Sequence, residues 1–84
     1  MQTSQLLYEV QDLPLFIQEL LLKYGERESV SENVTLRKFN VVTIKELNEE
    51  FGLGILQKIE GYFNSYLIHS KDEKTVITMG KYLD

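Results

Sequence analysis

Leu13, Phe16, Ile17, Leu20, Leu21 and Tyr24 recur at i, i+3, i+4, i+7, i+8 and i+11. That period places all six on one side of a helix. A helix over residues 13–24, with a wide apolar stripe to bury, is therefore the strongest constraint on what this chain can become. Asp12 is placed to cap its N-terminus, Pro14 falls in the first turn where a missing N–H costs nothing, and Gly25 stands where a C′ glycine closes a helix. Leu6 and Val10 continue the stripe backwards, which suits a short helix over residues 3–11 bent at Pro14. Leu15 and Leu22 lie off the stripe. A helix that is apolar on more than one side packs on two surfaces, so Leu6, Val10, Leu15 and Leu22 are candidates for a dimer or partner interface.

The remaining chain must cover that stripe, and there is little of it. Eighty-four residues, 43% of them hydrophobic, make one domain with a small core. A core of that size contributes only a few kcal/mol, and association with a second copy would supplement it. Residues 13–79 read as the folded core, residues 1–12 as an N-terminal extension or short helix, and residues 80–84 as a tail. The absence of cysteine removes disulfides and thiolate metal sites and points to a reducing compartment, the cytoplasm. Met1-Gln2-Thr3-Ser4 lacks the basic start of a signal peptide, and no apolar run approaches the ~20 residues that span a bilayer. No membrane partner is therefore expected. The formal net charge is −4, which disfavours sequence-independent nucleic-acid binding, since that rests on phosphate neutralisation by Lys and Arg. Arg37-Lys38 is the clearly positive stretch.

Glycines, polar runs and period changes divide the rest. Gly25 to Asn33 is the most polar stretch and reads as a loop. In Val34 to Val42, Val34 and Leu36 share one parity while Phe39 and Val41 share the other. One regular strand cannot keep both pairs on one face, so a break is expected near Lys38, with a short strand near residues 39–42. Thr43-Ile44-Lys45-Glu46 has the form of a capping box, and Val42 with Leu47 that of a hydrophobic staple. The helix they open presents Ile44, Leu47 and Phe51 inward and ends at Gly52. After Leu53-Gly54, a second helix carries Ile55, Leu56, Ile59, Tyr62, Phe63, Tyr66 and Leu67 at helical spacing, with its end placed near Ser65. Residues 67–70 and 75–79 then read as arms of a β-hairpin about a Lys71-Asp72-Glu73-Lys74 turn, closed by Gly80.

The order helix, short strand, helix, tight turn, helix, hairpin resembles the winged-helix family over residues 13–79. Two segments carry the resemblance. Val42-Thr43-Ile44-Lys45-Glu46-Leu47-Asn48-Glu49-Glu50-Phe51-Gly52-Leu53 is similar to the first helix and turn of a helix-turn-helix. Tyr66-Leu67-Ile68-His69 is similar to the entry into the wing. Asn48 stands where the family usually has a small residue, Lys58 where it has a buried Val or Ile, and the segment from Gly52 to the wing is about three residues short. The fold class implied is α+β and winged-helix-like. The activity implied is DNA binding and transcription regulation by a dimer.

On that resemblance the contact residues are Gln57, Lys58, Gly61 and Asn64 on the second helix, Lys45 on the first, and Lys71 and Lys74 in the wing. Gln and Asn can pair with adenine edges, and a glycine allows close approach to a groove. The same surface also reads as that of an acidic protein-interaction module, an adaptor or inhibitor that binds no nucleic acid. The sequence leaves both readings open: DNA, a protein partner or a second copy. Glu46, Glu49 and Glu50 have no histidine or aspartate at ligand spacing, and His69 has no nucleophile near it in the chain. No enzyme activity, metal, cofactor or small-molecule substrate is expected.

Overall fold

In the computed structural model, residues 8–82 are described, and they form a mixed α+β domain. A five-stranded antiparallel sheet, in the order β1-β5-β4-β3-β2, is covered on one face by helices. The elements run β1 (Tyr8–Val10), α1 (Leu15–Tyr24), β2 (Glu26–Ser31), β3 (Val34–Lys38), α2 (Val41–Phe51), α3 (Leu53–Ile59), β4 (Ser65–Ser70) and β5 (Val76–Tyr82). A 3₁₀ turn over Glu60–Tyr62 joins α3 to β4.

Half of the stripe read from α1 is buried; Leu20 and Tyr24 pack partly against the core, and Phe16 is exposed. Leu13, Ile17 and Leu21 are buried, with Leu47 of α2, Ile59 of α3, Leu67 of β4 and Phe39. The helix starts at Leu15, later than residue 13, and Asp12 does not cap it. Leu13 precedes Pro14, and a residue before proline is steered out of the helical region. Pro14 becomes the boundary residue, its carbonyl accepting from the N–H groups of Ile17 (3.0 Å) and Gln18 (3.1 Å). Gly25 closes the helix, but with an ordinary φ of −64°. Space is what selects glycine there, because an added Cβ would lie 2.5 Å from the Leu21 carbonyl oxygen. Arg37, buried on β3, completes the end by donating to the carbonyls of Leu22 (2.5 Å) and Gly25 (3.3 Å).

Several boundaries differ from the sequence reading, each for a local reason. Residues 26–31 form a strand where a loop was expected. All six of its residues are exposed, so the strand carries no hydrophobic alternation to detect. β3 occupies residues 34–38, and Phe39 turns into the core just past its end. The parity conflict falls at the expected place, but the strand lies before the break. The capping box is one turn earlier than Thr43–Glu46: the Asn40 side chain accepts from the Thr43 N–H (2.8 Å), and the Thr43 hydroxyl oxygen accepts from the Asn40 N–H (2.8 Å). Val41 and Val42 consequently sit exposed in the first turn of α2, so Val42 does not staple the helix. Gly52, at φ 83°, makes the left-handed turn between α2 and α3. β5 continues through Tyr82, past the expected stop at Gly80, because β1 pairs with residues 80–82. β1 itself replaces the last residues of the short N-terminal helix considered above; the rest of that helix, with Leu6, lies outside the described residues.

Strand parity assigns the two faces. Arg37, Leu67 and Met79 are register partners and face the helices. Leu36, Lys38, Tyr66, Ile68 and Thr78 point the other way. Tyr66 and Tyr82 meet on that second face with ring centroids 5.3 Å apart.

Candidate functional site

Four exposed apolar side chains belong to the α2–α3 pair, Val41 and Val42 at the start of α2 and Phe51 and Leu53 at its other end. The wheel of α2 turns Thr43 and Leu47 inward and leaves Val41, Val42, Lys45, Glu46, Glu49 and Glu50 outside. Relative exposures are 83% for Val41, 62% for Val42, 50% for Phe51 and 69% for Leu53. The tight Gly52 link sets α3 beside α2, and a groove of about 240 Å³ opens between them, lined by Ile44, Leu53, Leu56, Gln57, Glu60 and Phe63. Phe51, Gly54, Ile55 and Lys58 line a second hollow on α3.

The acidic groups of α2 lie on its other side, toward α1. Glu46, Glu49 and Glu50 line a cleft with Tyr24, whose hydroxyl donates to Glu50. That hydrogen bond, with partial burial and the nearby carboxylate charge, raises the Tyr24 pKa. The Tyr24 and Phe51 rings meet edge to face at 5.9 Å, tying α1 to the end of α2. Among the described residues, no group of three or more His, Cys, Asp or Glu side chains is placed to hold a metal ion.

The residues named for nucleic-acid contact separate into two groups. Lys45, Gln57, Lys58 and Gly61 are exposed on or just after the α2–α3 pair. Asn64 is beside them, but its side chain donates to the Tyr82 carbonyl (2.9 Å) while its own carbonyl accepts from the Tyr82 N–H (2.8 Å). It pins the end of β5. Gly61 likewise has its carbonyl engaged by Lys81 Nζ (2.9 Å), which also lies 4.8 Å from the centre of the Tyr62 ring. Lys71 and Lys74 are at the other end of β4, in the exposed β4–β5 turn. A six-residue strand rises about 20 Å, so Asn64 and the turn lysines occupy opposite ends of the sheet. Of the interface candidates, Val10 and Leu15 are exposed, and Leu22 is half-buried against the core.

A polar cleft that the sequence reading did not reach lies beside that turn. Arg27, Ser29, Thr35 and Lys71 line about 400 Å³ of open volume on the helix-bearing face, where no helix covers the sheet. The polarity of residues 25–33 reads as a loop and so hides the strand that builds this cleft. The signal available was the Arg27/Ser29 alternation followed by a Glu32-Asn33 turn, which are strand-and-hairpin residues without apolar content.

The turn itself is well ordered by local bonds. Asp72 accepts from the Ser70 hydroxyl (2.5 Å) and the Lys74 N–H (3.0 Å), and these bonds hold its carboxyl below the ordinary aspartate pKa. His69, buried on β4, has Nδ1 2.5 Å from the Ser70 carbonyl oxygen. Only a nitrogen can donate there, so Nδ1 carries a proton; Nε2 is buried without a hydrogen-bond partner among the described residues.

Compared with known proteins, the chain matches no family model, no curated protein and no solved structure. Among the described residues, no helix is long and apolar enough to cross a membrane.

Proposed function

We propose that this chain is an acidic protein-interaction module that engages a basic partner protein through the α2–α3 surface. The observation that carries the reading is the apolar groove between α2 and α3, with Leu53 exposed on its lining and Val41, Val42 and Phe51 exposed elsewhere on the same helix pair. Isolated exposed apolar residues are ordinary, but an apolar groove with an exposed leucine on its lining has the form of a binding surface. Glu60 lines the groove itself, while Glu46, Glu49 and Glu50 add negative charge on the other side of α2; together with the net charge of −4 they favour a cationic partner. A partner would seal the groove and remove its apolar lining from water.

A second reading, a winged-helix regulator that contacts DNA, is supported by the order of elements: α2, the Gly52 turn, α3, then the β4–β5 hairpin. Lys45, Gln57 and Lys58 would face the duplex. Less favourable to it are the acidic flank of α2 and the length of β4 between Asn64 and the turn lysines.

The experiment compares the wild type with Leu53→Asp and Val41→Asp, two exposed positions where the fold is expected to be retained. Crosslinked partners are captured from the native host and, in parallel, polarisation of labelled duplex DNA is measured at low and moderate salt. The expected result is a specific protein crosslink lost in both variants and no salt-sensitive DNA binding. Salt-sensitive DNA binding that is lost on Lys58→Gln would replace this reading with the second one.

A further inference from the structure

The β2–β3 hairpin and the β4–β5 turn together build a site that neither has alone. Ser29 and Thr35 are register partners across β2 and β3, as are Arg27 and Arg37. All four therefore point to the helix-bearing side, which Arg37 confirms by bonding to the end of α1. Lys71 follows β4 directly, and its N–H bonds to the Asn33 carbonyl (2.9 Å), fastening the β4–β5 turn to the β2–β3 turn. The cleft so formed brings Arg27, Thr35 and Lys71 together in a protein whose net charge is −4.

The donors there are largely uncommitted. The Thr35 hydroxyl and the Lys71 ammonium make no hydrogen bond among the described residues, and Arg27 uses one of its nitrogens, on Glu73. Ser29 is already spent, donating to the Ser31 carbonyl (3.2 Å). Arg37 adds charge from behind, with Nε and one Nη already bonded to the end of α1: it is close enough that Arg27 lowers its pKa while Glu73 raises it, both secondary to burial.

Glu73 reveals what the cleft accepts. Among the described residues it is the non-glycine residue with a left-handed backbone, φ 64°. In that conformation its carboxylate meets the guanidinium of Arg27, 46 residues away in the chain. The chain thus supplies an oxyanion to its own cationic cleft, from an exposed turn, through a solvent-exposed pair that a ligand can displace.

We propose that this cleft is an oxyanion-binding site for a phosphomonoester dianion, which competes with the tethered carboxylate of Glu73 for Arg27. Three cationic side chains against one carboxylate favour a doubly charged ligand over a singly charged one. Arg27 offers the planar fork that suits phosphate, Lys71 a point charge, and Thr35 a neutral donor.

The test is a titration of the ¹⁵N-labelled full chain with inorganic phosphate at constant ionic strength, with chloride as the control anion. Saturable shifts are expected at the amides of Arg27, Ser29, Thr35 and Lys71. Glu73→Gln removes the competitor and should tighten phosphate about two- to fivefold. Glu28→Gln makes the same change in net charge on the opposite face of β2 and should leave affinity unchanged. Arg27→Gln should weaken binding about tenfold or more; Arg27→Lys, which keeps the charge, should fall between. Dimethyl phosphate, a monoanionic diester, should bind more weakly than phosphate. Linear, chloride-like shifts in both the wild type and Glu73→Gln would overturn the site. Equal effects of Glu73→Gln and Glu28→Gln would overturn the competition, and equal binding of the diester would overturn the ligand class.

Discussion

β4 and β2 belong to one sheet, are separated by a single strand, and are held by opposite means. Three consecutive residues of β4, Ser65, Tyr66 and Leu67, are buried, and so is His69. Every residue of β2 is exposed. β4 is fixed by what it excludes from water: Leu67 is fully buried against Ile17, Leu21, Leu47 and Ile59. β2 is fixed by its ladder to β3 and by exposed charges, with Lys38 Nζ 3.1 Å from Glu28 and Arg27 paired to Glu73. The Glu28 hydrogen bond holds the Lys38 pKa above the ordinary lysine range. Exposed pairs of this kind contribute about 0–1 kcal/mol each, whereas burying one leucine side chain contributes about 1.5–3 kcal/mol. The stability of the domain is therefore concentrated at β4 and the helix layer. The edge strand is left free to carry polar chemistry on a firm support.

The edge is also guarded. A second copy adding antiparallel across a twofold axis must place one residue opposite itself. Centred on Arg27 this opposes two guanidinium groups, and centred on Glu28 two carboxylates, both unfavourable when directly opposite. Centred on Ser29, it meets the register shift between Ser29 and Ser31 that breaks the regular ladder. β2 can thus remain an open edge without becoming an association site.

The sharpest way to break the comparison is to cut one aliphatic side chain in each strand back to alanine. Leu67→Ala leaves a cavity at the centre of the core and should cost about 2–5 kcal/mol. Val30→Ala, at a position 54% exposed on β2, should change stability by less than about 0.5 kcal/mol. Urea denaturation of the two variants reads the difference directly. If the two costs came out similar, the sheet would not have the graded stability described above.

That gradient also explains which parts of the fold were legible beforehand. Burial writes a period into a sequence, and so the stripes of α1 and α2 were readable, together with the hairpin arms of β4 and β5; the helix after Gly54 was readable only in its first half, because it ends at Ile59 and the apolar Tyr66 and Leu67 belong to β4. β2 buries nothing and wrote nothing. The N-termini of α1 and α2 depend on small local competitions instead: Leu13 before Pro14, and Asn40 against Thr43 for the cap. The box at Thr43 was a valid pattern, but Asn40 made an equally valid one three residues earlier, and Thr43 served it as the N3 partner. Gly25 and Gly52 both looked like helix-closing glycines. Only Gly52 uses a positive φ; Gly25 is selected by the space beside Leu21. The oxyanion cleft was unreadable for a further reason, because Arg27 and Lys71 are brought together by the β2–β3 and β3–β4 pairings and by nothing local.

An intermediate effect is expected at β3, the strand between the two. Arg37 lies on the boundary, buried like a β4 residue but charged like a β2 one. Burial lowers its pKa, with the neighbouring Arg27 acting in the same direction. Arg37→Met keeps most of the side-chain volume but strands the carbonyls of Leu22 and Gly25 at the end of α1. The expected cost is about 1–3 kcal/mol, the penalty for buried acceptors left without a donor. Accelerated amide exchange in the last turn of α1 is the accompanying signature. A neutral Arg37→Met would mean that those carbonyls are satisfied by water, and that the buried region ends at β4.

The smallest effect is expected at the β4–β5 turn, where the well-buried strand gives way to an exposed tip. Asp72 has its pKa lowered by the Ser70 hydroxyl and then by the Lys74 N–H. A carboxyl whose folded pKa is depressed contributes stability above its unfolded pKa of about 3.9 and loses it as pH falls further. Protonation near pH 4 and below should therefore loosen the turn, while pH 5–8 should leave it unchanged. Asp72→Asn keeps an oxygen able to accept from Lys74 but removes the charge, so the acid limb should flatten. The measurement is exchange of the Lys74 and Thr75 amides between pH 3 and 6, referenced to the Leu67 amide. Since Leu67 belongs to the buried region, its exchange free energy should track global unfolding while the turn amides open locally. If the turn amides and Leu67 lost protection together in acid, the tip and the core would be one cooperative unit, and the division between a sealed β4 and an adaptable periphery would have to be redrawn at the turn itself.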